Sequence, residues 1–442
     1  MKTLFTHPFR RQYHWGYLAV GCTLLVSYAL WLGSMWYYQD WYENPWKYMA
    51  KVGSHSATLL MCWAFILATR FRPVEVLFGG LDKVYKSHRY IGEIAFFLIF
   101  LHPLGLALMH ASEGGSFWAY LWFSGDWVRN TGIIALAGFA LLVVLSIYVK
   151  IRYHRWKRTH DFFGLLLLLI IVHGIMAKGE IVAYPLLGLW FALWCGLGLA
   201  AYVYIRLLYR WLGPQYDHVV DEVRQVGDAV VELYLKPQGR AMVHEPGQFV
   251  YISLDANAVS REPHPFSISS APDSPRLRLS IKQLGDWTQS VHAIQAGEQA
   301  RVWGPYGHFS ETIVQGSCRQ RLIFLGGGIG ITPFLSMLAS ERMRKAPYAC
   351  WMIYSVADAQ RAVYSEELRT ACAQRDDWHC IQHLSDEEGF INADYLQQHL
   401  GSLNDCTFYI CGPQVMMDSV SNLLLDAGVP IEHIISEDFD IR

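Results

Sequence analysis

The sequence predicts a multidomain membrane protein: a six-helix transmembrane bundle, a small antiparallel β-barrel, and an α/β domain with a Rossmann-like sheet. A sharp change in composition, four matched histidines and a strand, glycine turn and helix predict it. The 442-residue chain is 53% hydrophobic, 14% aromatic and 17% charged, an average that hides two unlike halves. Up to about Arg210 apolar runs and tryptophans dominate, and from Pro214 onward the mixture is that of a soluble α/β protein. Boundaries are expected at 1–212, 213–315 and 316–442. A net charge of −2 provides no basic field, so nucleic acid is not an expected partner. The nine cysteines contain no C-x-x-C pair, which argues against an iron–sulfur cluster, a zinc ribbon or a disulfide framework.

Six stretches approach the ~20 residues needed to cross a bilayer. They are Trp15 to Tyr38, Tyr48 to Ala68, His88 to His110, Trp127 to Val149, Asp161 to Ala177 and Ala183 to Leu208. No small-residue cleavage site follows the first, so it reads as a retained span. Six crossings return the chain to its starting side. Basic residues fall on alternate connections: Arg10 and Arg11; Arg70, Arg72, Lys83, Lys86 and Arg89; Lys150, Arg152, Arg155, Lys157 and Arg158; Arg206 and Arg210. The opposite loops carry Asp40, Glu43, Glu113, Asp126 and Glu180. The positive-inside rule then places both termini in the cytoplasm, with the bundle in a plasma membrane of bacterial inner-membrane type.

His88 and His102 are fourteen positions apart on the third stretch, and His160 and His173 are thirteen apart on the fifth. At about 1.5 Å per residue these intervals are roughly 21 and 20 Å, so each helix presents both imidazoles on one face. A single intramembrane histidine is as readily a hydrogen-bonded core residue as a ligand. Matched pairs in apolar surroundings, without acidic neighbours, are better explained by metal ligation. An inner haem between His88 and His160 and an outer haem between His102 and His173 follow. His55 and His110 are single and weaker candidates, and His154 falls in a basic loop. This arrangement resembles the ferric reductase and NADPH oxidase superfamily, and the resemblance extends along the whole chain. It implies two b-type haems served by a cytosolic FAD and NAD(P)H reductase.

Beyond Pro214, short alternating segments suit an antiparallel barrel: Asp217 to Arg224, Ala229 to Leu235, Gln248 to Leu254, Pro265 to Ser269, Leu277 to Gln283 and Ala300 to Trp303. His264-Pro265-Phe266-Ser267-Ile268-Ser269-Ser270 resembles the family's flavin motif, which implies that His264 and Phe266 pack on FAD and that Ser267 lies beside the isoalloxazine. Lys282 and Gly285-Asp286-Trp287-Thr288 resemble its pyrophosphate segment, where a helix start offers free N–H groups. Gly304-Pro305-Tyr306-Gly307 resembles the turn that closes the barrel.

Arg321 to Leu325 reads as a buried strand that enters Gly326-Gly327-Gly328-Ile329-Gly330-Ile331-Thr332-Pro333, followed by a helix from Phe334 to Ser340. Glycines there let the main chain approach a pyrophosphate, and Pro333 in the first helical turn removes no needed donor. The spacing is not G-x-G-x-x-G but resembles the ferredoxin-reductase form. Phe408 to Pro413 is a second strand ending in Cys411-Gly412-Pro413, which in relatives lies where nicotinamide meets flavin; Cys411 is thus the one cysteine expected to be catalytic. At the end of the strand Trp351 to Val356, Ser355 and Arg361 favour NADPH, and Asp358 keeps NADH open.

The resemblance implies electron flow from NAD(P)H through FAD and the two haems to a small oxidant on the far side, either O2 or a ferric chelate. An electron-donor subunit that reduces a quinone or a periplasmic partner is the alternative. Two departures stand out. Some oxidases carry a further histidine where this chain has Leu106, and relatives end in an aromatic residue, a place open here to Phe439 or Ile441.

Overall fold

The computed structural model describes residues 14–149 and 153–437, which divide at Leu212 and Gly213 into two compact units. Arg10, Arg11, Lys150, Arg152, Phe439 and Ile441 lie outside the described residues, as does the side chain of His154.

Among the described residues the first unit has six helices long and apolar enough to cross a membrane. Span 1 is Trp15–Tyr38, span 2 Pro45–Leu67, span 3 Leu81–Ser112, span 4 Trp127–Ile147, span 5 Arg155–Met176 and span 6 Pro185–Leu212. Spans 3 and 5 begin six or seven residues before their apolar stretches. Asp82, Lys83, Lys86 and Arg89 lower the hydropathy of that first part, yet Leu81, Val84, Ser87 and Ile91 bury one helical face of it. The earlier start of span 5 places His160 inside a helix.

Span 2 is the centre of the bundle, with 61% of its apolar window buried against 17–28% for the others. It packs on spans 1, 3 and 6. Lipid offers no hydrophobic drive between helices, so close approach rests on small residues. At Gly53 an added Cβ would stand 2.8 Å from the His102 amide nitrogen, and at Gly105 one would stand 2.6 Å from the Trp46 carbonyl. Span 3 breaks at Phe100 into Leu81–Ile99 and Leu101–Ser112. Pro103 has no N–H to return to Ile99, which accounts for the break beside His102.

The second unit holds two β structures. Strands β1 (Gln215–Val226), β2 (Val230–Pro237), β3 (Phe249–Asp255), β4 (His264–Ser267), β5 (Leu277–Lys282) and β6 (Gln299–Tyr306) form an antiparallel sheet in the order β4-β3-β6-β1-β2-β5. A bridge between Ile268 and Leu279 joins its two edges into a barrel. Leu277, Leu279 and Ile281 alternate inward along β5 and meet Val231, Val250, Ile252 and Val302 in the core. β6 runs through Tyr306, so of the expected closing turn only Gly307 lies past the strand.

Strands β7 (Arg321–Gly327), β8 (Ala349–Val356), β9 (Trp378–Leu384), β10 (Cys406–Cys411) and β11 (Ile434–Ser436) form a parallel sheet in the order β11-β10-β7-β8-β9. Leu322 to Leu325 are fully buried because helices cover both faces. The chain order reverses between β7 and β10. In open parallel sheets that reversal leaves a crevice at the carboxyl ends of the strands.

Candidate functional site

Among the described residues no three metal-ligating side chains gather. Two facing pairs do. His88 and His160 have ring centroids 5.9 Å apart, and His102 and His173 have theirs 6.3 Å apart. A metal–imidazole bond of about 2 Å, plus roughly 1 Å from nitrogen to ring centre, separates the centroids of two imidazoles on one metal by roughly 6 Å. The geometry therefore fits one iron between each pair.

The remaining ring nitrogens strengthen the fit. His88 donates its Nδ1–H to the Ala64 carbonyl at 2.8 Å, and His102 donates to the Ala50 carbonyl at 3.1 Å; both acceptors lie on span 2. His173 donates to the Val128 carbonyl on span 4 at 3.0 Å, with the Thr131 hydroxyl 3.1 Å away. His160 Nδ1 meets the Ser146 hydroxyl of span 4 at 3.1 Å. A carbonyl can only accept, so His88, His102 and His173 carry a proton on Nδ1, and Nε2 is the nitrogen left for a metal. Spans 2 and 4 thus orient the imidazoles of spans 3 and 5. Nothing in the sequence signalled this, because the acceptors are main-chain groups.

Lys51, which follows Ala50, pairs with Glu180, and the Tyr42 hydroxyl donates to the same carboxylate. Burial favours the neutral acid, but Lys51 and Tyr42 outweigh it and hold Glu180 below the ordinary carboxylate value. His55 is buried between Trp31 and Phe191, with ring centroids 5.2 and 4.9 Å away. His110 lies against Tyr120 at 5.3 Å.

In the barrel, the Trp287 indole is buried and donates to the Ser260 carbonyl at 3.0 Å. His264 and Phe266 pack on it with centroids at 4.5 and 5.6 Å. Pro265 pairs with Tyr251 across β3, and Ser267 is buried at the end of β4. Ser269 donates its hydroxyl to the Arg278 carbonyl at 3.0 Å, and the Ser270 hydroxyl accepts the Arg278 N–H at 3.1 Å. Lys282 ends β5 opposite Val230. Gly285 precedes the short helix Asp286–Ser290, where the Thr288 hydroxyl accepts the N–H groups of Leu284 and Gly285, both at 2.9 Å.

In the parallel sheet, Cys411 pairs in register with Gly326, which brings the two predicted dinucleotide motifs side by side at the reversal between β7 and β10. Gly328 holds φ +56, and Gly330 approaches so closely that an added Cβ would stand 2.5 Å from the Cys411 carbonyl. Gly327 packs in the same way toward Pro413 and Met416, beside Gly412. Thr332 and Pro333 open the helix Thr332–Ala339. Ile410 is level with Ser436, the last residue of β11, so Cys411 ends β10 and the buried Glu437 directly follows the neighbouring strand. A Cβ on Gly307 would stand 2.7 Å from Glu437 Oε1. Sequence reasoning missed Glu437, weighing only Phe439 and Ile441 beyond it.

Ser355 bonds His383 Nδ1 at 2.9 Å across the ends of β8 and β9. Asp358 accepts the Arg361 N–H at 3.0 Å, and its carboxylate lies 3.5 Å from the guanidinium. The acid and the base weighed for opposite preferences are one pair.

Three family matches cover the chain in sequence: ferric reductase like transmembrane component over residues 54–171, FAD-binding domain over 216–312, and oxidoreductase NAD-binding domain over 324–422. A flavohemoprotein of Rhodopirellula baltica is 25% identical over 52% of this chain and 61% of its own length. The Na(+)-translocating NADH-quinone reductase of Pseudomonas aeruginosa has a component that is 29% identical over 39% of this chain and 44% of its own length. The chain thus spans about half the length of these curated relatives. The crystal structure of flavohemoglobin from Malassezia yamatoensis superposes with a TM-score of 0.51 at 16% identity, covering 89% of this chain and 96% of that one, a likeness of fold alone. With a membrane component, an FAD-binding domain and an NAD-binding domain in that order, the chain matches the ferric reductase and NADPH oxidase-like superfamily.

Proposed function

We propose that this multi-pass membrane protein is an NAD(P)H-dependent oxidoreductase that moves electrons from a cytosolic nicotinamide site across the bilayer to O2 or a ferric chelate. The observation that carries this reading is the pair of imidazole separations, 5.9 and 6.3 Å, one for each haem. His88 and His160 would hold the inner haem b, and His102 and His173 the outer. When bound, FAD supplies the conversion of a hydride into single electrons and the haems supply one-electron carriers.

The protein's own groups bind, orient and exclude water. Gly326, Gly327, Gly328 and Gly330 open the main chain to a pyrophosphate at the strand-order reversal. Cys411, Gly412 and Pro413 border the nicotinamide position, where a buried side chain keeps water out of the transfer. His264, Pro265, Phe266, Ser267, Ser269 and Ser270 form the flavin-side wall, and Lys282, Gly285, Asp286, Trp287 and Thr288 form the pyrophosphate side. Arg361, held by Asp358, supports NADPH over NADH, as does Ser355 near the end of β8. Arg70, Arg72, Lys83, Lys86 and Arg89 against Asp40, Glu43, Glu113, Asp126 and Glu180 support a cytoplasmic reductase module in a plasma membrane.

The test is anaerobic reduction of the detergent-purified protein by NADPH, with O2, ferric chelate or quinone then admitted separately. Reduced b-type bands that reoxidise with O2 or a ferric chelate are expected. A spectrum without b-type bands refutes the reading. Reoxidation by quinone alone, or by none of the three, marks an electron-donor subunit instead.

A further inference from the structure

Arg278 lies on β5, outside every motif named in the sequence, and its side chain is only 14% exposed. One side of it serves the candidate flavin strand. Nη2 donates to the Ser269 carbonyl at 2.8 Å, Nε donates to the Ser269 hydroxyl at 3.2 Å, and the main-chain N–H donates to the Ser270 hydroxyl at 3.1 Å. The other side meets the parallel-sheet domain. Nη1 and Nη2 donate to the two oxygens of Glu367 at 3.0 and 2.6 Å, and Glu367 sits on the helix Ser365–Cys372.

Glu232 of β2, 2% exposed, supplies a second carboxylate 3.6 Å from the guanidinium. It accepts hydroxyls from Tyr234 of the same barrel at 2.8 Å and from Tyr364, just before the Glu367 helix, at 3.1 Å. Ser336, on the helix behind the glycine turn, donates to the Ser270 carbonyl at 2.7 Å. The Ser269-Ser270 dipeptide is therefore tied to two helices on one face of the parallel sheet, Thr332–Ala339 and Ser365–Cys372. A planar guanidinium with donors on both edges makes such a junction, whereas an ammonium is a point donor.

We infer that Arg278 is a positioning residue, which fixes the flavin-side strand against the nicotinamide-binding domain so that hydride donor and acceptor stay aligned. The inference rests on the reductase reading above. It places alignment in a side-chain junction belonging to the chain itself.

The test uses full-length protein in detergent, with FAD content and KM for NADPH measured beside the anaerobic rate of flavin reduction. Arg278→Met is expected to keep its FAD and to slow flavin reduction about tenfold to a hundredfold, since small misplacements of reacting groups cost that much. Arg278→Lys should recover part of the rate. Adding Glu367→Gln to Arg278→Met should slow it no further, because both changes remove one junction. Normal FAD content with a rate within about twofold of the parent in Arg278→Met overturns the inference. So do additive losses in the double variant. If Arg278→Met does not retain FAD, Glu367→Gln decides alone: slower reduction at full FAD content supports the inference and an unchanged rate overturns it. A parent protein whose flavin NADPH and NADH both leave oxidised refutes the reductase reading, and the inference with it.

Discussion

His102 and His173 face each other with centroids 6.3 Å apart, and each donates its Nδ1–H to a main-chain carbonyl on a helix that carries neither ligand of the pair. Each ring is thus fixed by a neighbour as well as by its own helix. His102→Ala should remove about half of the b-type absorbance and leave the rest, because the His88 and His160 pair is separate. Pyridine haemochrome content of the purified variant is the measurement, and full haem content would count against the pairing.

Gly132 on span 4 leaves room for the His173 ring, since a Cβ there would stand 2.8 Å from Cε1. Gly132→Ala should turn the imidazole, shifting or broadening the reduced spectrum of the outer pair. Gly33→Ala on span 1, where a Cβ meets nothing within 4 Å, should leave the spectrum unchanged and serves as the control.

At Gly330 the obstruction is main chain: the Cys411 carbonyl at 2.5 Å cannot rotate away as a side chain would. Gly330→Ala is therefore expected to cost about 1–3 kcal/mol of stability in the parallel-sheet domain and to weaken NADPH binding. Thermal unfolding with and without NADPH reads both effects.

The Arg361 side chain is 67% exposed beside Asp358, so its charge is open to a 2′-phosphate and removing it should weaken NADPH more than NADH. Arg361→Ala is expected to raise KM for NADPH about tenfold while KM for NADH moves little, the loss of one exposed charge-assisted contact. Equal changes for both nucleotides would assign Arg361 to the loop rather than to the ligand.

His383 gives a pH dependence. Burial holds its imidazole below the ordinary value of 6.5, against smaller opposing effects of Glu388 and the Gly389 main chain. Below pH 6.5 the unfolded chain binds a proton that the folded one refuses, so stability falls as pH drops through this range and is unaffected by this group above it. The slope for one such proton is at most about 1.4 kcal/mol per pH unit. Thermal midpoints of the parent and His383→Gln between pH 5 and 7 should converge toward the acid end, with pH values chosen to bracket histidine titration.

Much of the architecture was legible because its signals are periodic or compositional. The spans follow from apolar runs, and the strands from alternation around Leu277 and Ile281. Span starts were read late at Leu81 and Arg155, where charged residues share a helix with a buried face and mean hydropathy fails. What stayed hidden was relational. Ala50, Ala64 and Val128 act through carbonyls, which have no residue signature. Asp358 and Arg361 were weighed as rivals because nothing in their spacing reveals a shared turn. Arg278 looked like any polar residue on an alternating strand, and only the folded chain sets Glu367 beside it.

Carbonyl acceptors at His88, His102 and His173 hold a proton on Nδ1, so Nε2 is the ring nitrogen left for a metal. Thiolate centres must first release protons to capture a metal. Imidazoles above the histidine titration range would release none, so if these three positions hold a metal-bearing group, its uptake should be nearly indifferent to mild alkalinity.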